Sequence, residues 1–128
     1  MRLLLDTHTV LWFVLNDPQL SRPADALITD PTNEVLISPA TYWEMAIKVA
    51  KKKLDLLAPY DDFMKRGIEG NNFTILPIET KHTSVLTTMP MHHKDPFDRL
   101  IVSQALVERI PVVSVDLEFD AYGVNRLW

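Results

Sequence analysis

A chain of 128 residues, 47% apolar and 23% charged, is long enough to bury one core without staples and has the make-up of an ordinary globular domain. It holds no cysteine, which excludes a disulfide framework and any thiolate metal site. Its net charge of −4 argues against tight nucleic-acid binding by bulk electrostatics, while leaving room for a basic patch beside an acidic site.

The apolar start Met1-Arg2-Leu3-Leu4-Leu5 is interrupted by Asp6. No apolar run approaches the ~20 residues of a membrane span, so the expectation is a cytoplasmic protein. Arg2 to Leu5 reads as a short buried strand, and Asp6-Thr7 as the cap of a helix built on Val10 to Leu15. Asn16-Asp17-Pro18 breaks that helix. Residues 21–29 fit a second helix, with Ser21 as cap and Pro23 in its first turn. Glu34 to Ser38 reads as the next strand. Pro39 opens a longer helix that places Trp43, Ala46, Ile47 and Ala50 on one face. A helix over 60–69, a strand from Phe73 to Ile78 and a helix over 79–88 follow. His93-Lys94-Asp95-Pro96-Phe97-Asp98-Arg99 then starts a helix that runs to Arg109. Pro111 to Val115 is a fourth strand, and Tyr122-Gly123-Val124 begins a short fifth. Nothing divides the chain, so residues 1–128 are expected to form a single domain. Apolar strands alternating with helices predict a three-layer α/β/α fold around a mostly parallel sheet of about five strands.

In such folds ligands bind beyond the carboxyl ends of the strands. Asp6 follows the first strand and Asp116 the fourth, while Asp98 lies in the first turn of its helix. Glu44 lies one turn into the helix after strand two, at the edge of its buried face. Each acid has a structural explanation. Asp6 and Asp116 suit a cap or turn, Asp98 suits a helix first turn, and Glu44 suits an ion pair with Lys48 four residues on. Asp95 as N-cap, with Pro96 after it, makes a good helix start. These explanations do not account for four carboxylates on one rim. Their repulsion is most easily relieved by a divalent cation, and oxygen-only ligands point to Mg²⁺ or Mn²⁺ rather than Zn²⁺.

The chain resembles PIN-domain ribonucleases, specifically the VapC-type toxins of bacterial and archaeal toxin–antitoxin pairs. The likeness rests on Leu4-Leu5-Asp6-Thr7-His8, on Ser38 with Trp43-Glu44-Met45-Ala46-Ile47-Lys48, on the 93–99 heptad, and on Val113-Ser114-Val115-Asp116. It implies that Asp6, Glu44, Asp98 and Asp116 form an acidic metal site, with Thr7 and Ser114 as supporting hydroxyls. Asp95 is an additional acid that mainly shapes the helix start. It further implies an endoribonuclease that uses Mg²⁺ or Mn²⁺, acts on RNA, forms a homodimer and pairs with a VapB-type antitoxin. An antitoxin Arg or Lys entering the acidic pocket would compete with metal and substrate, and the apolar residues from Leu11 to Leu15 offer a groove for its apolar face.

Substrate phosphates have candidate partners in Lys48, Lys51 and Lys52, which follow Glu44 at helical spacing, and in Arg99 beside Asp98. The bland alternatives are a solvated lysine face and an arginine that only balances the carboxylates. His93 is either a hydrogen-bond donor near the site or a structural loop residue, and Trp12 and Trp43 read as core in preference to RNA-stacking platforms. Two rival functions remain. A haloacid-dehalogenase-like phosphatase also places an Asp after its first strand, but wants a second Asp where this chain has His8. A non-catalytic PIN-like interaction domain would keep the acids for partner binding alone.

Overall fold

Leu3, Leu4 and Leu5 are fully buried in succession, and successive strand residues face opposite sides of a sheet. That requires cover on both faces, and the fold supplies it. The computed structural model describes residues 1–128. Strands β1 (Arg2–Leu5), β2 (Glu34–Ile37), β3 (Thr74–Ile75), β4 (Val112–Val113) and β5 (Arg126–Leu127) form one sheet in the order β3-β2-β1-β4-β5. Every pairing is parallel, with Leu5 level with Ile37 on one side and Val113 on the other. Helices α1 (Thr7–Val14), α2 (Arg22–Thr29), α3 (Pro39–Ala50), α4 (Tyr60–Met64), α5 (Thr80–Leu86) and α6 (Pro96–Glu108) surround it. A π-helical turn, Lys65–Glu69, extends α4, and a 3₁₀ helix, Leu117–Tyr122, separates β4 from β5. The expected three-layer α/β/α arrangement is therefore the observed one, and its sheet is wholly parallel.

The alternation divides the core in two. Leu3, Leu5, Val35, Ile37 and Val113 join Val10, Ala24, Met45 and Phe63 on one side. Leu4, Leu36 and Val112 join Ile101, Val102, Ala105 and Phe119 on the other. At about 25 cal/mol per Å² of buried apolar surface, these two layers are the main favourable contribution to folding.

Several elements are shorter or placed otherwise than the sequence reading predicts. The strand expected over Phe73 to Ile78 pairs only at Thr74–Ile75. One further backbone bond follows, from Leu76 N to Ile37 O at 2.9 Å, and Pro77 then has no N–H to donate. The fourth strand keeps only Val112–Val113. The fifth begins at Arg126 instead of Tyr122, because Asp116 caps the 3₁₀ helix and Gly123, at φ +78°, turns the chain before it can pair. Trp43 is not core: it is 58% exposed, and the buried residues of α3 are Ala40, Thr41, Glu44 and Met45. Once partners hold Glu44 inside, Trp43 lies ~100° away around the helix and emerges at the surface. Nor do Leu11 to Leu15 form an exposed groove. Leu11 is buried, and Phe13, Val14 and Leu15 pack against the first core layer. No helix is long and apolar enough to cross a membrane.

Candidate active site

Two helix starts, the second turn of α3 and one 3₁₀ start deliver acids to the carboxyl ends of the strands. Asp6 ends β1 and caps α1, its Oδ1 accepting from Thr9 N at 2.9 Å. Its other oxygen, Oδ2, accepts from the Ser114 hydroxyl at 2.5 Å, so the residue after β4 grips the residue after β1. Thr9 Oγ1 lies 2.6 Å from Asp6 Oδ1 and 2.8 Å from Val113 O. One hydroxyl proton cannot serve both acceptors at once, so a proton on Asp6 would complete the pattern. Burial raises the Asp6 carboxyl above its ordinary range, against the lowering effect of the Ser114 and Thr9 hydrogen bonds.

Glu44 is only 4% exposed. Its Oε1 accepts from Thr7 Oγ1 at 2.7 Å and its Oε2 meets Lys48 Nζ at 2.8 Å. The Lys48 pair foreseen four residues along α3 is thus present, but its acid end is buried rather than solvated. Thr7 and Ser114 thus each donate a hydroxyl to one of the acids.

Asp95 is the N-cap of α6, accepting from Phe97 N at 2.8 Å and Asp98 N at 3.2 Å. Asp98, one turn in, feels the other acids. Burial first, then the charges of Asp95, Asp6 and Glu44, push its carboxyl up to about 7, against the pull of His93. The four proposed acids are therefore electrostatic neighbours or share bridging partners.

His93 lies nearer their centre than the sequence reading expects. Its Nε2 is 3.0 Å from Asp98 Oδ2, 3.0 Å from Asp116 Oδ2 and 3.2 Å from Glu118 Oε2. Burial works against the imidazolium, but the Asp116 hydrogen bond and the charges of Asp98, Glu118 and Asp116 outweigh it and raise its pKa. Asp116 divides its oxygens, Oδ1 capping the 3₁₀ helix at Glu118 N and Oδ2 facing His93.

Other predicted residues fall elsewhere. Arg99 touches no acid of the site. It donates to Pro90 O at 2.9 Å and to Tyr122 Oη at 3.3 Å. Tyr122 Oη in turn accepts from His93 N at 2.7 Å. Arg99 therefore braces the loop that carries His93, because its planar fork fits convergent oxygen acceptors. The lysine stripe also breaks. The helix ends at Ala50 and Lys52 has φ +57°, so Lys48, Lys51 and Lys53 line the groove beside Glu44 while Lys52 does not.

Thr9, Tyr122 and Glu118 are participants the sequence reading missed. Thr9 stood three residues after a capping Asp, where an N-cap oxygen reaches a backbone N–H. Glu118 stood two residues after Asp116. Nothing local in the sequence marks Tyr122, whose contacts are all long-range.

The sequence profile of the PIN domain matches residues 3–125. Among solved structures, VapBC2 from Rickettsia felis, bound to a DNA fragment from its promoter, is similar with TM-score 0.71 and 20% identity, covering 99% of this chain and 98% of that one. FitAcB from Neisseria gonorrhoeae gives 0.67 and 22%, covering 98% and 96%. VapBC-1 from nontypeable Haemophilus influenzae gives 0.65 and 16%, covering 99% and 97%. At these identities the likeness is one of fold. No curated protein sequence matches the chain.

Proposed function

The chain belongs to the PIN-domain family, and from that premise we propose that it is an Mg²⁺- or Mn²⁺-dependent endoribonuclease serving as the toxin of a toxin–antitoxin pair. The observation that carries the metal-dependent reading is geometric: Asp98 and Asp116 converge with their Oδ2 atoms each 3.0 Å from one nitrogen of His93, and Asp98 is buried among further acids. A group so placed is costly to ionise alone, and a divalent cation removes the cost. The donor set fits such an ion: Asp98 and Asp116 turn their Oδ2 atoms to one point, each 3.0 Å from His93 Nε2, and Ser114 ties Asp6 to the backbone of Asp116. Hard carboxylate oxygens suit Mg²⁺ or Mn²⁺. When bound, the ion lowers the pKa of water and screens charge on the phosphoryl oxygens.

The chain's own residues supply the rest. Ser114 and Thr9 fix both oxygens of Asp6, so its position costs no reorganisation. Glu44, oriented by Thr7 and Lys48, is set to position the attacking water. His93 neutralises Asp98 and Asp116 and therefore competes with the cation for the same two carboxylates. Lys48 and Lys51 lie along the approach, where they meet substrate phosphates.

The partner in this reading is an antitoxin of the VapB type. The VapBC2, VapBC-1 and FitAcB structures, which this chain resembles in fold, support that reading, and an acidic pocket suits an inserted Arg. We assign residues 1–128 to one domain acting in the cytoplasm as a homodimer. Expression of the chain alone in a bacterial host should arrest growth, and co-expression of its neighbouring reading frame should restore it, with the two proteins co-purifying. Healthy growth with abundant soluble protein expressed alone would contradict the toxin role. In calorimetric titration, Mg²⁺ or Mn²⁺ should bind the parent and weaken in both Asp6→Asn and Asp98→Asn. Unchanged affinity in both would contradict the metal site.

A further inference from the structure

Tryptophan is highly buried on average, and a large apolar side chain left exposed beside a functional site calls for a partner. Trp43 is 58% exposed. It follows α3 into the site immediately before Glu44, and its ring stands 5.2 Å from that of Phe97 at 89°. Phe97 immediately precedes Asp98. This edge-to-face contact is a favoured aromatic geometry and fixes the indole without covering it. An aromatic pair thus joins the two acid-bearing helices at the point where both acids enter the site.

The surroundings say what the free indole meets. Phe97, though not Trp43 itself, lines the groove beside Glu44, together with Asp95, Lys48, Lys51 and Lys53. Lys48 is held by Glu44, which leaves Lys51 and Lys53 without a carboxylate partner, and two such cations in a groove leading to the acids complement a phosphodiester backbone better than a partner's apolar anchor. Proteins that hold single-stranded nucleic acid combine a basic track with an aromatic face on which a base stacks, because every base has a π-face. An indole already fixed by Phe97 loses little further freedom when a base lands on it.

We propose that Trp43 is a stacking platform for an unpaired base of the RNA substrate, with Lys51 and Lys53 holding the adjoining phosphates. This rests on the ribonuclease reading above and adds that the substrate is single-stranded at the cut. Trp43 is then a positioning residue: it touches the substrate but no reacting atom. Its contribution does not depend on which base is present, so a loss on substitution should fall on every sequence alike.

The test compares two labelled strands of equal length, oligouridylate RNA and a strand with the same backbone but no bases. Binding is followed by fluorescence anisotropy in Ca²⁺, and cleavage of oligouridylate separately in Mg²⁺. The parent should bind the base-bearing strand roughly tenfold more tightly than the bare one. Trp43→Ala should lose that preference and bind the bare strand as the parent does, while Trp43→Phe keeps most of it. Lys51→Ala and Lys53→Ala should weaken both strands equally. A Trp43→Ala protein that keeps the parent's base preference and cleavage rate overturns the proposal and leaves the nuclease reading intact. Loss of a dimer in Trp43→Ala, with base preference unchanged, also overturns it and gives the indole to a second copy of this chain. A parent that binds neither strand and cuts no RNA overturns both.

Discussion

Replacing Asp98 with asparagine should stabilise the metal-free protein at neutral pH. The Asp98 carboxyl is raised to about 7, against about 3.9 for an unperturbed aspartate. A difference of about three pH units corresponds to about 4 kcal/mol between the protonation states. The N-terminal end of α6 favours the ionised form by 0.3–1 kcal/mol and offsets part of this, leaving about 3 kcal/mol. The sign follows from a folded-state pKa above the unfolded one. The parent is fully stable in this respect below pH 4, loses stability as pH rises through 7, and is level above it. His93 runs alongside: its raised pKa contributes stability at low pH that is lost as pH rises, but Asp116 and Glu118 remain beside it in the variant. Thermal melts in EDTA should therefore give the same Tm for parent and Asp98→Asn near pH 4, and a variant roughly 10 °C higher at pH 8. Added Mg²⁺ should raise the parent and close most of the gap. A variant that melts at or below the parent at pH 8 in EDTA would refute the reasoning and make Asp98 a structural acid.

Asp95→Ala should destabilise by about 1 kcal/mol, the usual contribution of an N-cap, and a denaturant titration that finds no change would count against its capping role. Ser114→Ala removes the donor to Asp6 Oδ2 and should cost about 1–3 kcal/mol, more at pH 8 than at pH 4, read by melts at the two pH values. Gly67→Ala places a Cβ 2.7 Å from Val14 Cγ1, and the overpacking should cost about 1–3 kcal/mol, measured as a lower urea midpoint at unchanged slope. Arg99→Ala should leave metal affinity near the parent's while loosening the loop that carries His93, seen as faster amide exchange at residues 89–93.

Much of the frame was readable because capping chemistry is local. Asp6, Ser21 and Asp95, all read as caps, each accept from the backbone of the helix they begin, and Ser38, read as the last residue of a strand, caps α3 in the same way. The acids came from the same logic, since a residue that ends a strand or starts a helix in a parallel fold lies at one rim. What was not readable depends on long-range partners. Periodicity alone favours Trp43 over Glu44 for burial, and Thr7, brought in by another helix, joins Lys48 in reversing that order. Arg99 looked like a counter-charge because Asp98 precedes it, yet its acceptors are loop carbonyls and Tyr122. Lys52 left the stripe because the helix ends two residues earlier, and no glycine or proline marks the stop. His93 needed the folded positions of Asp98, Asp116 and Glu118 to be seen as their common neighbour.

The central claim, that these acids cut RNA with a divalent cation, is tested most directly by purified protein acting on labelled single-stranded RNA. The account predicts cleavage in Mg²⁺ or Mn²⁺, its abolition by EDTA and recovery on readdition, and loss by at least a hundredfold in Asp6→Asn with the fold intact by circular dichroism, about the scale of removing one preorganised group. Cleavage that persists in EDTA, or an Asp6→Asn protein as active as the parent, would contradict it.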